Sequence, residues 1–214
     1  MAGAFITLEG IDGCGKTTQA RLLAEALRHR GRSVRLTREP GGTEAGAALR
    51  DIVLARDRGM PAQAELFIYL ADRAIHVAQV VLPALEGGEI VICERYSDST
   101  LAYQGYGRGL DLGLLRRLND MATGGCTPDL TIVLDIAPTK ARLDASRLDR
   151  LESEGPVFAE RVARGFRELA ASEPARVKLV DGTGDISAVH ADVMRLVDDL
   201  LAGLPADTQS REGA

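Results

Sequence analysis

The residues best suited to chemistry lie near the N-terminus. Gly10-Ile11-Asp12-Gly13-Cys14-Gly15-Lys16-Thr17 fits the spacing G-x-x-x-x-G-K-[ST]. A short apolar run, Phe5-Ile6-Thr7-Leu8, precedes it, and a helical pattern begins near Lys16. Glycines let such a loop close around a phosphate chain with its N–H groups turned inward, and the helix start adds a positive dipole end. Lys16 then reaches the β- and γ-phosphates, and the Thr17 hydroxyl suits Mg²⁺. Thr18 stands where a G-x-G-x-x-G dinucleotide turn needs its last glycine, and the only Asn is Asn119, so no guanine-reading N-K-x-D exists. The expected nucleotide is ATP.

Three further clusters carry polar chemistry. Arg38-Glu39-Pro40-Gly41-Gly42-Thr43 is a shaped turn, with Arg50 seven residues beyond it. Glu94-Arg95-Tyr96 follows an apolar run: an acid there suits Mg²⁺ or a reacting hydroxyl, and the Arg95 fork suits a phosphate. Ser97 to Gly109 is a polar and aromatic patch able to read a base edge. Tyr69 and Arg73, four apart, share one helix face. The plain alternatives are a solvated helix face for Arg50, a strand-end ion pair for Glu94 and Arg95, and a core ring beside a surface cation for Tyr69 and Arg73. Arg142 to Glu152 mixes Arg with acid, as a mobile lid bringing Arg to a phosphoryl group or as a charged helix surface. His29, His76 and His190 are given no role.

These clusters need elements to position them. Strand patterns fall at 5–8, 34–37, 90–93, 130–134 and 177–180. Helical patterns fall at about 16–30, 44–56, 62–86, 111–123, 139–150, 157–172 and 186–202, with Asp185 as the N-cap of the last and Pro61, Pro138 and Pro156 as first helical residues. Alternation of this kind predicts an α/β fold: a five-stranded parallel sheet between two helix layers, with ligands beyond the carboxyl ends of the strands. At 214 residues the chain predicts one domain, 1–214, with a lid near 140–155 and a frayed tail over 205–214. Aromatics are only 4% and Trp is absent, so Leu, Val, Ile and Ala must fill the core. A net charge of −5 argues against a nucleic-acid partner. No apolar run of membrane length and no signal peptide are read, and three cysteines without metal spacing point to a reduced, cytoplasmic chain.

Taken together, Gly10–Thr17, Arg38–Thr43, Glu94–Tyr96 and Ser99–Gly105 resemble bacterial thymidylate kinases, from about Phe5 to Leu201. The resemblance implies a P-loop NTPase three-layer sandwich that transfers the γ-phosphoryl group of ATP to dTMP, giving dTDP and ADP, and a homodimer formed through helices including 62–86. It implies that the loop from Gly10 to Thr17 binds the donor, that Lys16 and Thr17 hold its phosphates and Mg²⁺, and that Asp12 meets the acceptor's 3′-hydroxyl. Arg95, with Arg38 and Arg50, would grip the acceptor phosphate. Tyr69 would stack on thymine, with Arg73, Thr100 and Gln104 at the base edges and Tyr103 crowding the sugar's 2′ side.

Two positions depart from that pattern. Glu94 replaces the usual Asp, reaching towards the metal shell. Glu-Arg also occurs in deoxynucleoside kinases, so thymidine is a competing acceptor; a nucleotide-dependent switch is the other rival. Gly13 carries no basic group, so the lid must supply the cation, from Arg142, Arg147 or Arg150, with Arg147 and Arg150 favoured.

Overall fold

The computed structural model describes residues 3–55, 59–141 and 150–203. Five strands, β1 (Ala4–Glu9), β2 (Val34–Arg38), β3 (Ile90–Glu94), β4 (Leu130–Asp135) and β5 (Val177–Asp181), form one all-parallel sheet in the order β2-β3-β1-β4-β5. The apolar runs predicted this: β1 is buried at every position and β3 and β4 at all but their last, whereas edge strands β2 and β5 are partly open. Successive residues of β1 face opposite layers. Ala4, Ile6 and Leu8 pack with Leu23 and Leu27 of α1 (Lys16–His29) and Val193 and Val197 of α8 (Ile186–Gly203). Phe5 packs on the other side with Val77, Val81, Val91 and Tyr96.

The remaining helices are α2 (Glu44–Leu54), α3 (Ala62–His76), α4 (Leu82–Glu86), α5 (Ser97–Thr100), α6 (Leu112–Thr123) and α7 (Pro156–Ser172). Asp185 Oδ1 accepts from Ala188 N at 2.8 Å, as expected of the cap of α8. Pro156 opens α7, while Pro61 is the N-cap of α3 rather than its first residue.

Four expectations need correction. The run predicted at 62–86 is broken by a π-helical turn, Val77–Val81, because Pro83 has no N–H to return to the preceding turn. This run is also long and apolar enough, by length and composition, to cross a membrane. Yet Glu65, Asp72, Arg73 and His76 within it are buried and bonded to other elements, as in a core helix. The helix predicted at 139–150 begins instead as one 3₁₀ turn, Pro138–Lys140, after which Ala141 is extended; 142–149 lie outside the described residues, as does the tail. Finally, Ser97–Gly107, within the polar and aromatic patch for which no helix was predicted, is helical: α5 runs into a π-helical segment, Leu101–Gly107. Its polar and glycine content hides the helical period, and packing on α7 and α6 sets its form instead.

Candidate active site

The chain leaves β1 towards β2 on one side of the sheet and later supplies β4 and β5 on the other, so a crevice opens beyond the carboxyl ends of β1, β3 and β4. The loop Gly10–Thr17 fills it. Gly10 has φ 131°, and a Cβ there would lie 2.7 Å from the Leu134 carbonyl. Gly13 and Gly15 are also left-handed, at φ 73° and 103°. Gly15 caps α1 with no side-chain hydrogen bond, so the first N–H groups of a 14-residue helix are free for an anion. Lys16 Nζ folds back on the carbonyls of Gly10 (3.1 Å) and Ile11 (2.8 Å). Cys14 is buried in the loop, outside any disulfide, and its Sγ accepts from Lys16 Nζ at 3.7 Å.

Glu94, the last residue of β3, accepts from the Thr17 hydroxyl at 2.6 Å. The two predicted metal-side groups therefore meet although 77 residues apart. Hydroxyl and carboxylate oxygens are the donors a hard divalent cation takes.

Arg95 joins this loop to a second cleft. Its φ of 66° is the one left-handed value among described non-glycine residues, a strain of roughly 1–3 kcal/mol that the surroundings must hold. Nη1 donates to the Gly10 carbonyl (3.1 Å) and Ser99 Oγ (3.2 Å), and Nη2 to Asp12 Oδ1 (2.5 Å) and Tyr103 OH (3.1 Å). Tyr103 OH donates onward to Asp12 Oδ2 at 2.8 Å. Burial alone would raise the Asp12 carboxyl; the charges of Arg95 and Lys16 and the bonds from Tyr103 and Arg95 outweigh it and hold the pKa at about 2. Beneath lies Glu9, wholly buried, which accepts from Tyr96 N (2.7 Å), Ser99 N (3.2 Å) and Ser99 Oγ (2.6 Å) and so pins the turn after Arg95. Burial pushes its pKa up to about 7 against the pull of Arg95.

The second cleft holds about 520 Å³ of empty space including its mouth, a size suited to a mononucleotide. Asp12, Arg50, Tyr69, Arg73, Arg95, Thr100, Tyr103 and Gln104, all predicted acceptor-side residues, line it. Arg73 is buried, which rules out the surface alternative. Its Nε donates to Glu39 (2.8 Å), Nη1 to Thr100 Oγ1 (2.8 Å) and Asn119 (2.7 Å), and Nη2 to the Tyr96 carbonyl (2.9 Å). Arg50 Nη1 donates to the Pro40 carbonyl at 2.9 Å and is no solvated face. Arg38 lies apart: it is exposed and borders a different depression, with Glu94, Gly41 and Gly42. Arg150 donates to Glu65 (2.5 Å) and the Val53 carbonyl (3.0 Å) at the acceptor side. Arg142 and Arg147 lie outside the described residues.

Sequence reasoning missed the buried groups behind these side chains. Glu39 bonds both Arg73 and His76 Nδ1 (2.9 Å), and His76 Nε2 meets Thr37 Oγ1 (2.7 Å), so one of the histidines given no role has one. Asp72 accepts from Gly41 N at 2.9 Å. Their spacing, Asp72-Arg73 and His76 on one helix face, was the available signal. A third depression on the far side of the phosphate loop, lined by Thr18, Gln19, Lys140 and Gly182 to Gly184, was also missed; Gly182-Thr183-Gly184 directly after β5 was its trace.

The thymidylate kinase family model matches residues 8–193. The chain belongs to the thymidylate kinase family. A thymidylate kinase of Synechococcus sp. (strain JA-3-3Ab) is 53% identical over 203 residues, covering 94% of this chain and 98% of its own length. One from Synechococcus sp. (strain JA-2-3B'a(2-13)) is 50% identical over 208 residues, covering 97% and 99%. The crystal structure of thymidylate kinase from Ehrlichia chaffeensis superposes with a TM-score of 0.77 at 37% identity, covering 92% of this chain and 99% of that one. As a member of that family the chain is a nucleoside monophosphate kinase that converts dTMP to dTDP, and Glu94 does not make it a deoxynucleoside kinase.

Proposed function

We propose that the two clefts hold ATP and dTMP head to head, with the phosphoryl group passing between them at Arg95. The supporting observation is that one guanidinium touches both the phosphate loop, through Gly10 and Asp12, and the acceptor cleft, through Ser99 and Tyr103. Lys16 leaves its loop carbonyls to hold the donor phosphates beside the bare start of α1. Thr17 and Glu94 would hold Mg²⁺, a hydroxyl and a carboxylate being oxygen donors that a hard cation takes; when bound, the ion would neutralise charge on the donor phosphates. Gly10 to Gly15 supply backbone N–H groups.

On the acceptor side, Arg95 and Arg50 hold the dTMP phosphate; Arg38, which borders a different depression, takes no part in that grip. Asp12, kept ionised, accepts from the 3′-hydroxyl, and Tyr103 fills the 2′ side. Tyr69 stacks on thymine. One Nη2 N–H of Arg73 is left over to donate to O4, and Gln104 faces N3. Thr100 orients Arg73. The phosphate acceptor oxygen is already ionised, so the chain needs alignment and charge cancellation rather than a strong base. The lid cation comes from Arg147 or Arg150, and in this structure Arg150 is held by Glu65. The whole chain acts as one domain. The free cysteines suit a cytoplasmic setting. Exposed Phe67 and Leu82 on the 62–86 run support a homodimer.

ADP release measured across dTMP, dCMP, dGMP, dAMP and thymidine tests the reading. Strong turnover with dTMP and none with thymidine is expected; release independent of acceptor would sink it in favour of a switch.

A further inference from the structure

We propose that Glu65 is a specificity-determining residue: by taking the amide N–H of Gln104, it leaves the Gln104 carbonyl oxygen facing the acceptor base and so selects an imide N–H over a ring nitrogen lone pair. The inference rests on the assignment of this cleft to the base of dTMP made above.

Glu65 lies on α3, fully buried. Its Oε1 accepts from Gln104 Nε2 at 2.8 Å and, more weakly, from Arg108 Nε at 3.4 Å, and its Oε2 from Arg108 Nη2 at 3.0 Å and Arg150 Nη2 at 2.5 Å. Burial would raise its carboxyl, but the bonds from Arg108, Gln104 and Arg150 win and keep it below the usual range, so it is ionised and can only accept. A side-chain amide is symmetric in shape, and nothing but its partner decides which end points where. Here the carboxylate claims the NH₂ end. Gln104 lines the cleft, and its amide oxygen meets no donor among the described residues. Beside it, Arg73 presents only N–H groups. Thymine offers the complement, an O4 acceptor next to an N3–H donor; cytosine offers the reverse, an amine next to an N3 acceptor.

Glu65→Gln tests this because of the two arginines. Their two short bonds meet at Oε2, against one long contact of 3.4 Å at Oε1, so the new carbonyl oxygen takes the Oε2 place and the new NH₂ falls against Gln104. Gln104 must then turn its oxygen away from the base and present its NH₂. The ratio of kcat/KM for dTMP over dCMP should fall roughly 10- to 100-fold, the worth of a reversed base contact. Both substrates are measured on one preparation, so a smaller folded fraction cannot alter the ratio. An unchanged ratio overturns the proposal.

Gln104→Met separates the two assignments. If it too leaves the ratio unchanged, the placement of thymine at Gln104 is wrong. If it lowers the ratio while Glu65→Gln does not, the role of Glu65 alone is wrong. Should Glu65→Gln fail to fold, a neutron structure of the unaltered protein with dTMP decides: deuterons on the Gln104 atom facing Glu65 support the proposal, and deuterons on the atom facing the base refute it.

Discussion

At the scale of single residues, charge placed by burial governs the site. Lys16→Ala and Arg95→Ala should each abolish phosphoryl transfer, with losses of about 10³-fold or more, while circular dichroism shows a folded chain. Near-normal turnover in either would contradict the geometry. Glu9 gives a pH prediction. Its carboxyl titrates at about 7 when folded, against 4.5 for an ordinary glutamate. Between those values the folded protein keeps a proton that the unfolded chain has released, so stability falls as pH rises through that window, by on the order of 3 kcal/mol. Glu9→Gln should flatten the dependence of the urea midpoint between pH 5 and 8. Asp12 behaves oppositely: its folded pKa of about 2 lies below the ordinary 3.8, so its contribution is present above pH 4 and fades only as pH drops towards 2.

At the scale of elements, the loop Arg38–Thr43 depends on α3 behind it. Gly41 is tied to Asp72 at 2.9 Å, and a Cβ on Gly42 would lie 2.6 Å from the His76 ring and 2.7 Å from the Arg38 carbonyl. Gly42→Ala should therefore displace the loop that holds Arg50 through Pro40, raising KM for dTMP about tenfold or more while KM for ATP stays put. Thr43 caps α2 through Gly46 N at 2.9 Å. Thr43→Ala should cost about 1 kcal/mol in urea unfolding. The strands of this scaffold were readable because central parallel strands are apolar throughout. Helix Ser97–Gly107 was not, since a largely buried segment that turns polar side chains to a cleft and to neighbouring elements has no solvent face to impose a period.

For the whole molecule, the proposed homodimer should be visible in sedimentation. Phe67 is 60% exposed on α3, too much for an apolar ring serving only its own core. Phe67→Asp should shift the protein towards monomer; an unchanged sedimentation coefficient at micromolar concentration would place the dimer contact elsewhere, or remove it.

The succession of strands and helices and the phosphate loop are local properties. Periodicity, glycine spacing and residue chemistry act over a few neighbours, so one chain of letters carries them; the acceptor-side residues were singled out as a set only through the resemblance to thymidylate kinases. What the letters could not show is partnership across distance: Glu39 between Arg73 and His76, Glu9 under the turn of Arg95, Glu65 holding Gln104 and Arg150 together. A buried carboxylate looks like any surface acid in the sequence. Only packing brings its donors within reach, and only burial makes that partnership obligatory, since a polar or charged group removed from water without a partner is too costly to keep.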